Sequence, residues 1–301
     1  MQHTVRAAAL ATGVVGDRLR TWERRYGVPA PARTGTGRHL YDEGDLTVIR
    51  RMAALVDAGL RAASAAAAVR EETAQATNIR PAGTAEVDPR VLDLVDRAET
   101  FDESLLIEML ETSERSIDIE ATVQGLALPA LVEAGHRWER SDITVAGEHM
   151  LAEVIRSWLA ALSHALPTPP RDAPHVLVAC PEDERHDICA LALALLLRGA
   201  GLRVAYLGGD VPTSALVDAA RSTPFDALCL AITATPSLPV ARLALGALLD
   251  AGGEMRLYSG GQAITRARDG EADLLAAVRL PATVAGAARQ VAAQLIRASQ
   301  A

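Results

Sequence analysis

The 301-residue chain contains no lysine; all 30 of its basic residues are arginine. Every positive side chain is therefore a planar fork suited to paired contacts with phosphate or guanine edges. Aromatics are almost as scarce, at 3%, with tryptophan only at Trp22, Trp138 and Trp158. Since 50% of residues are hydrophobic, the cores must be built from Ala, Leu and Val, which favours closely packed helices. No apolar run approaches the roughly 18 residues of a membrane span; the longest candidate is Ala190–Leu197. The opening MQHTVRAAAL lacks the apolar centre of a secretion signal. Cys180, Cys189 and Cys229 have no metal-like spacing and sit in apolar stretches, as buried thiols of a reduced, cytoplasmic protein do. No Ser/His/Asp set or carboxylate pair stands out. Neither YLGGD nor YSGGQ is followed by the Lys of a phosphate loop. A binding protein is expected rather than an enzyme.

What is present is unevenly spread. Residues 1–70 hold eleven arginines against six acids, a net +5, so the remaining 231 residues carry −13 of the total −8. A basic head on an acidic body points to nucleic-acid binding by the head alone. The length suggests two or three domains. Residues 71–88 (EETAQATNIRPAGTAEVD) are polar, contain Pro81 and Gly83, and read as a linker. From 89 to 167, apolar positions recur at helical spacing, as at Val91, Leu94, Val95 and Ala98, which predicts a bundle of about four helices. From 173 to 301, short apolar runs at 175–180, 202–208, 226–232, 255–260 and 277–280 alternate with helical segments at 187–199, 213–221, 237–250 and from 282. That alternation predicts an α/β doubly wound, Rossmann-like parallel sheet with its ligand site at the carboxyl ends of the strands.

The head reads helix, turn, helix, wing: a helix at 5–11, a turn at 12–16, a second helix at 17–26 opened by a polar cap, and a Gly-rich hairpin in ARTGTGRHLY. LRTWERRYGVPAPARTGTGRHLYDEGDL resembles the MerR family of regulators, with R-x-W-E-R followed by P-x-R-T-x-x-G-x-R-x-Y; the likeness covers about residues 3–70. It implies an all-α winged helix-turn-helix that grips a double-stranded DNA operator with the second helix and the wing. Arg18, Arg20, Thr21, Arg24, Arg33, Arg38, His39 and Tyr41 are the implied DNA-binding positions, with mostly phosphate contacts among the arginines. Trp22 is expected to seat the helix in the core.

In the C-terminal half, Glu184-Arg185-His186 follows the first predicted strand. A crevice histidine can ligate a metal through one nitrogen while a carboxylate holds the other. Alone, this pattern equally describes a solvated loop histidine. The spacing adds to it: 41 residues separate Cys189 from Ala231-Ile232-Thr233, and 26 separate Thr233 from Gly260-Gly261. The order is similar to that of cobalamin-binding modules that supply a histidine to cobalt through D/E-x-H-x-x-G, S-x-L and G-G. Cys189, Ala231 and Thr233 depart from the Gly, Ser and Leu of that pattern. The glycine pair is read as clearance for the cofactor's nucleotide tail, and YLGGDVP as a loop. In the helical section, Trp138, nine residues, then Glu148-His149 resemble the cap of the CarH and LitR photoreceptor repressors, although Glu139 stands where those place a histidine.

These resemblances imply adenosylcobalamin as cofactor, with His186 as its metal ligand oriented by Glu184. Trp138, Val145, Glu148 and His149 would enclose the upper group, and Thr233, Gly260 and Gly261 would line the lower site. They imply a light-responsive repressor, a homo-oligomer (dimer or tetramer) on DNA, with no membrane association. Two alternatives stay open at this level: a MerR-type regulator whose sensor has lost cobalamin or takes another tetrapyrrole or a protein partner, and a corrinoid-carrier enzyme component. A head that binds through arginine–phosphate contacts should lose affinity steeply and log-linearly as salt is raised, measurable by titrating operator DNA across a salt series.

Overall fold

The computed structural model describes residues 3–29, 32–33, 39–41, 43–57, 61–63, 65–66, 69, 87–252, 254–266 and 277–299. Two compact units divide the chain, Met1–Glu86 and Val87–Ala301. Of the expected linker, only residues 87 and 88 lie among those described.

In the first unit, α1 (Val5–Thr12) is capped by the Thr4 hydroxyl and closed by Gly13 in the left-handed region. Helix α2 (Gly16–Tyr26) follows, but the polar cap read from sequence is not there. Its N-cap is Val15, which offers no side-chain acceptor, and Asp17 sits within the first turn. A short hairpin pairs β1 (Ala32–Arg33) with β2 (His39–Leu40), and α3 (Glu43–Asp57) completes the described elements. Ala8, Leu19, Trp22, Tyr41, Leu46 and Ile49 form the core, placing Trp22 inside as expected.

The second unit opens with the helical section. Asp88 caps α4 (Pro89–Ala98), where Pro89 occupies a first-turn position that needs no N–H donor. Asp102 caps α5 (Glu103–Ser116), and Thr144 caps α8 (Val145–Ala165). Between them runs a continuous helical stretch: α6 (Ile119–Thr122), a π-helical segment (Val123–Ala127) and α7 (Leu128–Glu139). Pro129 supplies the reason. A proline inside a helix has no N–H and its ring crowds the carbonyl four residues back. Here that residue is Gly125, and the backbone widens so that Leu128 N–H bonds Val123 instead. The helical spacing read from sequence holds: Val91, Leu94, Val95 and Ala98 are all buried in one core.

The third section is the five-stranded sheet: β3 (His175–Pro181), β4 (Arg203–Val211), β5 (Ala227–Ala231), β6 (Arg256–Gly260) and β7 (Val278–Arg279). Its order is β4-β3-β5-β6-β7, all parallel. Alternation along β3 divides the two faces. Val176, Val178 and Cys180 pack under α9 (Ile188–Gly199) and α12 (Val284–Ser299). Leu177 and Ala179 pack under α10 (Thr213–Ser222) and α11 (Leu238–Asp250). Burial on both faces is why these strands read as unbroken apolar runs.

The expected YLGGDVP loop is largely strand. β4 runs on to Val211, and its register against β3 slips so that Val178 faces Tyr206 while Ala179 faces Gly208. Gly208 takes φ +85, and a left-handed glycine lets the strand absorb one extra residue as a bulge.

The sheet order reverses between β3 and β5, so their carboxyl ends open a crevice at the switch point. The bundle reaches this end through α8, which packs on α9; Leu191, Ala192 and Leu195 of α9 belong to the bundle's own core. Beside the crevice lies the glycine pair. Gly261 sits at φ +110, where a Cβ would collide with the Ile232 carbonyl. Its smallness thus serves contact between two loops of the protein, a constraint beyond the one read from sequence. Gly261→Ala is expected to cost about 2 kcal/mol or more, from left-handed strain plus the clash. Gly135→Ala, in open space on α7, should be neutral or slightly stabilising; thermal unfolding of the two variants checks both.

Candidate functional site

Glu184 is the best-satisfied side chain at the crevice. It is completely buried. Its Oε1 accepts from the His186 backbone N–H at 2.9 Å and lies 2.7 Å from His186 Nδ1. Its Oε2 accepts from the backbone N–H groups of Thr233 at 2.9 Å and Ala234 at 2.6 Å. Burying a carboxylate carries a penalty of several kcal/mol, but hydrogen bonds to a charged group contribute about 1.5–3 kcal/mol each. Four of them win. Burial pushes the Glu184 carboxyl up, yet the bonds from His186, Ala234 and the His186 backbone, with the His186 charge, hold it down to about 2.

The same contact raises the His186 pKa, chiefly through the hydrogen bond to Glu184; burial opposes this, and the charges of Glu184, Glu148 and Asp187 add to it. With Nδ1 committed to Glu184, Nε2 is the ring's remaining donor, and the side chain is 70% exposed. Glu148, in the first turn of α8, lies close enough for its charge to act on His186. The Thr233 hydroxyl donates to the His186 carbonyl at 3.3 Å, so it supports the loop. Gly260 and Gly261 end β6 directly behind Ile232, whose N–H donates to the Gly260 carbonyl at 2.8 Å.

The cap residues cluster where α7 ends and α8 begins. Trp138 is 43% exposed and Val145 56%. His149 Nδ1 meets Glu148 Oε2 at 2.7 Å, with the imidazole largely open to solvent. Glu99 fixes this corner by accepting from the Thr144 N–H and hydroxyl at 2.6 and 2.9 Å, and Gly147 leaves room for its carboxylate. Nothing is described of the Glu139 side chain. Cys189 packs against the bundle core and burial raises its thiol to about 11, so the departure from glycine sits at the bundle junction. Ala231 is buried at the end of β5.

The donor set fits a macrocyclic metal. Among the described residues no group of three or more His, Cys, Asp and Glu side chains converges on a bare ion. With Nδ1 held by a buried carboxylate, His186 would offer one nitrogen to a cobalt whose ring ligands a corrin would supply.

In the head, Arg18, Arg20, Arg24 and Arg25 are exposed along α2. Arg18 stacks 5.3 Å over the Trp22 ring, and Arg20 is 3.4 Å from Asp17, an exposed pair that phosphate can displace. The Thr21 hydroxyl is used on the Asp17 carbonyl at 2.8 Å. Tyr41 corrects the sequence reading. It is fully buried, bridges His3 and donates its hydroxyl to Glu23, so it shapes the head and does not face DNA. Arg33 and His39 face each other in the hairpin register; their side chains and Arg38 lie outside the described residues.

Residues 3–72 match the family described as MerR HTH family regulatory protein. Residues 92–163 and 174–293 match two families described as B12 binding domain. The HTH-type transcriptional repressor CarH of Myxococcus xanthus is 32% identical over 226 residues, covering 71% of this chain and 73% of that protein. The chain belongs to the CarH family of MerR-type transcriptional repressors. CarA of the same organism is also 32% identical, over 75% of each chain. The Methanosarcina barkeri monomethylamine corrinoid protein superposes with a TM-score of 0.57 at 17% identity, covering 67% of this chain and 96% of its own, a likeness of fold. This repressor thus joins a DNA-binding head to B12-binding domains, and no helix among its described residues is long and apolar enough to cross a membrane.

Sequence reasoning missed three members of the site's surroundings: Asp187, Arg156 and Tyr206. Asp187 and Tyr206 lie within stretches singled out by sequence, but at positions to which no role was given, and Arg156 lies in none. For Glu184, the depressed pKa means its stabilisation is full above the ordinary carboxylate value and lost as pH falls toward about 2. The difference in urea midpoint between wild type and Glu184→Gln should therefore narrow as pH drops below about 4.5. A pH-independent difference would contradict the assignment.

Proposed function

We propose that this repressor is controlled by adenosylcobalamin and by light. The observation that carries the reading is the exposed His186 imidazole, held through Nδ1 by a buried carboxylate and close enough to the bundle end for the Glu148 charge to act on it. His186 would hold the cobalt, with Glu184 fixing which ring nitrogen it offers. Thr233, Gly260 and Gly261 hold the floor of the crevice through backbone contacts. Trp138, Val145, Glu148 and His149 form the wall above. Trp138 and Val145, both exposed apolar side chains, suit an adenosyl group. When bound, adenosylcobalamin supplies a cobalt–carbon bond that visible light breaks.

The protein's part is to translate that change at the bundle end into a change of assembly. In the dark the cap closes over the site and the chain forms a dimer or tetramer. Linked heads then bind operator DNA with an avidity gain of about 10²–10⁴. Arg18, Arg20 and Arg24 on α2, with Thr21 beside them and Arg33, Arg38 and His39 of the wing, make the contacts. After light the ligand no longer favours the closed cap, and the population shifts to the weakly binding form.

The test is to load purified protein with adenosylcobalamin in darkness and record absorbance, oligomer size and operator gel shift before and after green light. The expected result is a retained corrinoid spectrum and a DNA complex that dissolves on illumination, with His186→Ala removing the histidine-ligated spectrum. Loss of all corrinoid on desalting would sink the reading. Retained cofactor with light-indifferent DNA binding would leave a cobalamin sensor that is not a photoreceptor.

A further inference from the structure

Asp187 follows the candidate ligand at an unspecified position of its motif, and it is held from two sides. From the bundle, Arg156 on α8 approaches with both terminal nitrogens: Nη1 donates to Oδ2 at 2.9 Å, while Nη2 lies 2.7 Å from Oδ1 as an ion-pair contact, leaving Oδ1 without a hydrogen bond. From the sheet, the Tyr206 hydroxyl on β4 donates to Oδ2 at 2.7 Å and lies 3.3 Å from the Asp187 carbonyl. The Asp187 side chain is only 12% exposed and that of Arg156 34%.

Stability alone is a weak reason for a pair so placed, because a well-packed apolar pair of similar volume is often as stable or more so. The two-pronged contact supplies geometry instead: one charge-assisted hydrogen bond and a second close ion-pair contact fix where the loop sits against α8. The fixed carboxylate is one residue from His186. It is also the N-cap of α9, although its side chain makes no cap bond there, being turned to Arg156 and Tyr206. Arg156 stands seven residues after His149 and eight after Glu148, two turns along one face of α8. The helix that carries the cap is therefore fastened to the ligand loop by a charged contact beside the ligand.

We propose that Arg156, Asp187 and Tyr206 are positioning residues for His186. The Arg156–Asp187 contact holds the ligand loop in register with the cap helix, and Tyr206 sets the carboxylate's orientation from the sheet. Glu184 fixes which nitrogen His186 presents; this second carboxylate fixes where it is presented. The inference rests on the cobalamin reading above.

Hydroxocobalamin titrated into the full chain, followed by the corrinoid absorbance bands, gives affinity and histidine ligation. Hydrogen–deuterium exchange of cofactor-free protein reports the loop at residues 184–189 independently. Arg156→Gln should weaken hydroxocobalamin binding by about 10- to 100-fold, as loss of outer-shell partners does, and should speed exchange in the loop but not in β3. Arg156→Lys should restore only part of the affinity, because an ammonium cannot reproduce the two-pronged contact. Tyr206→Phe should act in the same direction more weakly. The double variant Arg156→Gln/Asp187→Asn leaves no orphaned charge and should melt near wild type while keeping the affinity loss. Wild-type affinity and ligated spectrum in that folded double variant would overturn the proposal, as would unchanged loop exchange. If wild type binds no hydroxocobalamin, the cobalamin reading fails, and exchange in the cofactor-free chain still decides whether the contact holds the loop.

Discussion

A single buried carboxylate organises the sensor half. Glu184 has no exposed surface and accepts four hydrogen bonds, two from its own loop and two from the turn after the neighbouring strand. It therefore closes the crevice floor, ties β3 to β5 beyond their last paired residues, and aims one ring nitrogen outward. A charge in that place is tolerable only while every donor stays in position. The loop's shape and the ligand's readiness are consequences of the same satisfied group.

The bundle is constrained to the same end of the sheet by ordinary packing. Leucines of α9 serve the bundle core on one side, and Ala190, Leu193, Ala194 and Leu197 serve the sheet core on the other. Around this apolar seam, polar fasteners recur: Arg198 to Ser163 at 2.8 Å, Arg289 to Glu120, and the Gln124 side chain to the Ala285 N–H. Gln124 lies in the π-helical segment forced by Pro129, so the irregular turn faces the sheet domain. Helical and sheet sections thus form one body, with the exposed corner of Trp138 and Val145 at its open end.

The sequence exposed the elements whose physics is local. Strands buried on both faces read as apolar runs, and the bundle's period of burial survives at Val91, Leu94, Val95 and Ala98. Glu184 and His186 were legible because they are two residues apart. Departures came where distant atoms decide. Asp187 meets partners 31 and 19 residues away, and nothing in its neighbours announces them. Gly261 is small because Ile232 lies against it, a fact invisible without the turn. Tyr41 looked like part of a binding wing but completes the head's core, because its hydroxyl finds Glu23 inside. The bulge at Gly208 kept a strand going where two glycines suggested a loop.

The double clasp on Glu184 also explains why counting residues reveals this site better than naming them. Its donors come from two loops separated by a whole helix–strand–helix–strand excursion. Adding or removing one residue in a strand displaces the downstream chain by about 3.3 Å, as much as the full length of a hydrogen bond. Because the donors at Thr233 and Ala234 are backbone amides, almost any side chain can stand there. Substitutions such as those at Ala231 and Thr233 leave the clasp whole, whereas a one-residue change in chain length would open it. The site's memory is kept in intervals, and its alphabet is free to drift.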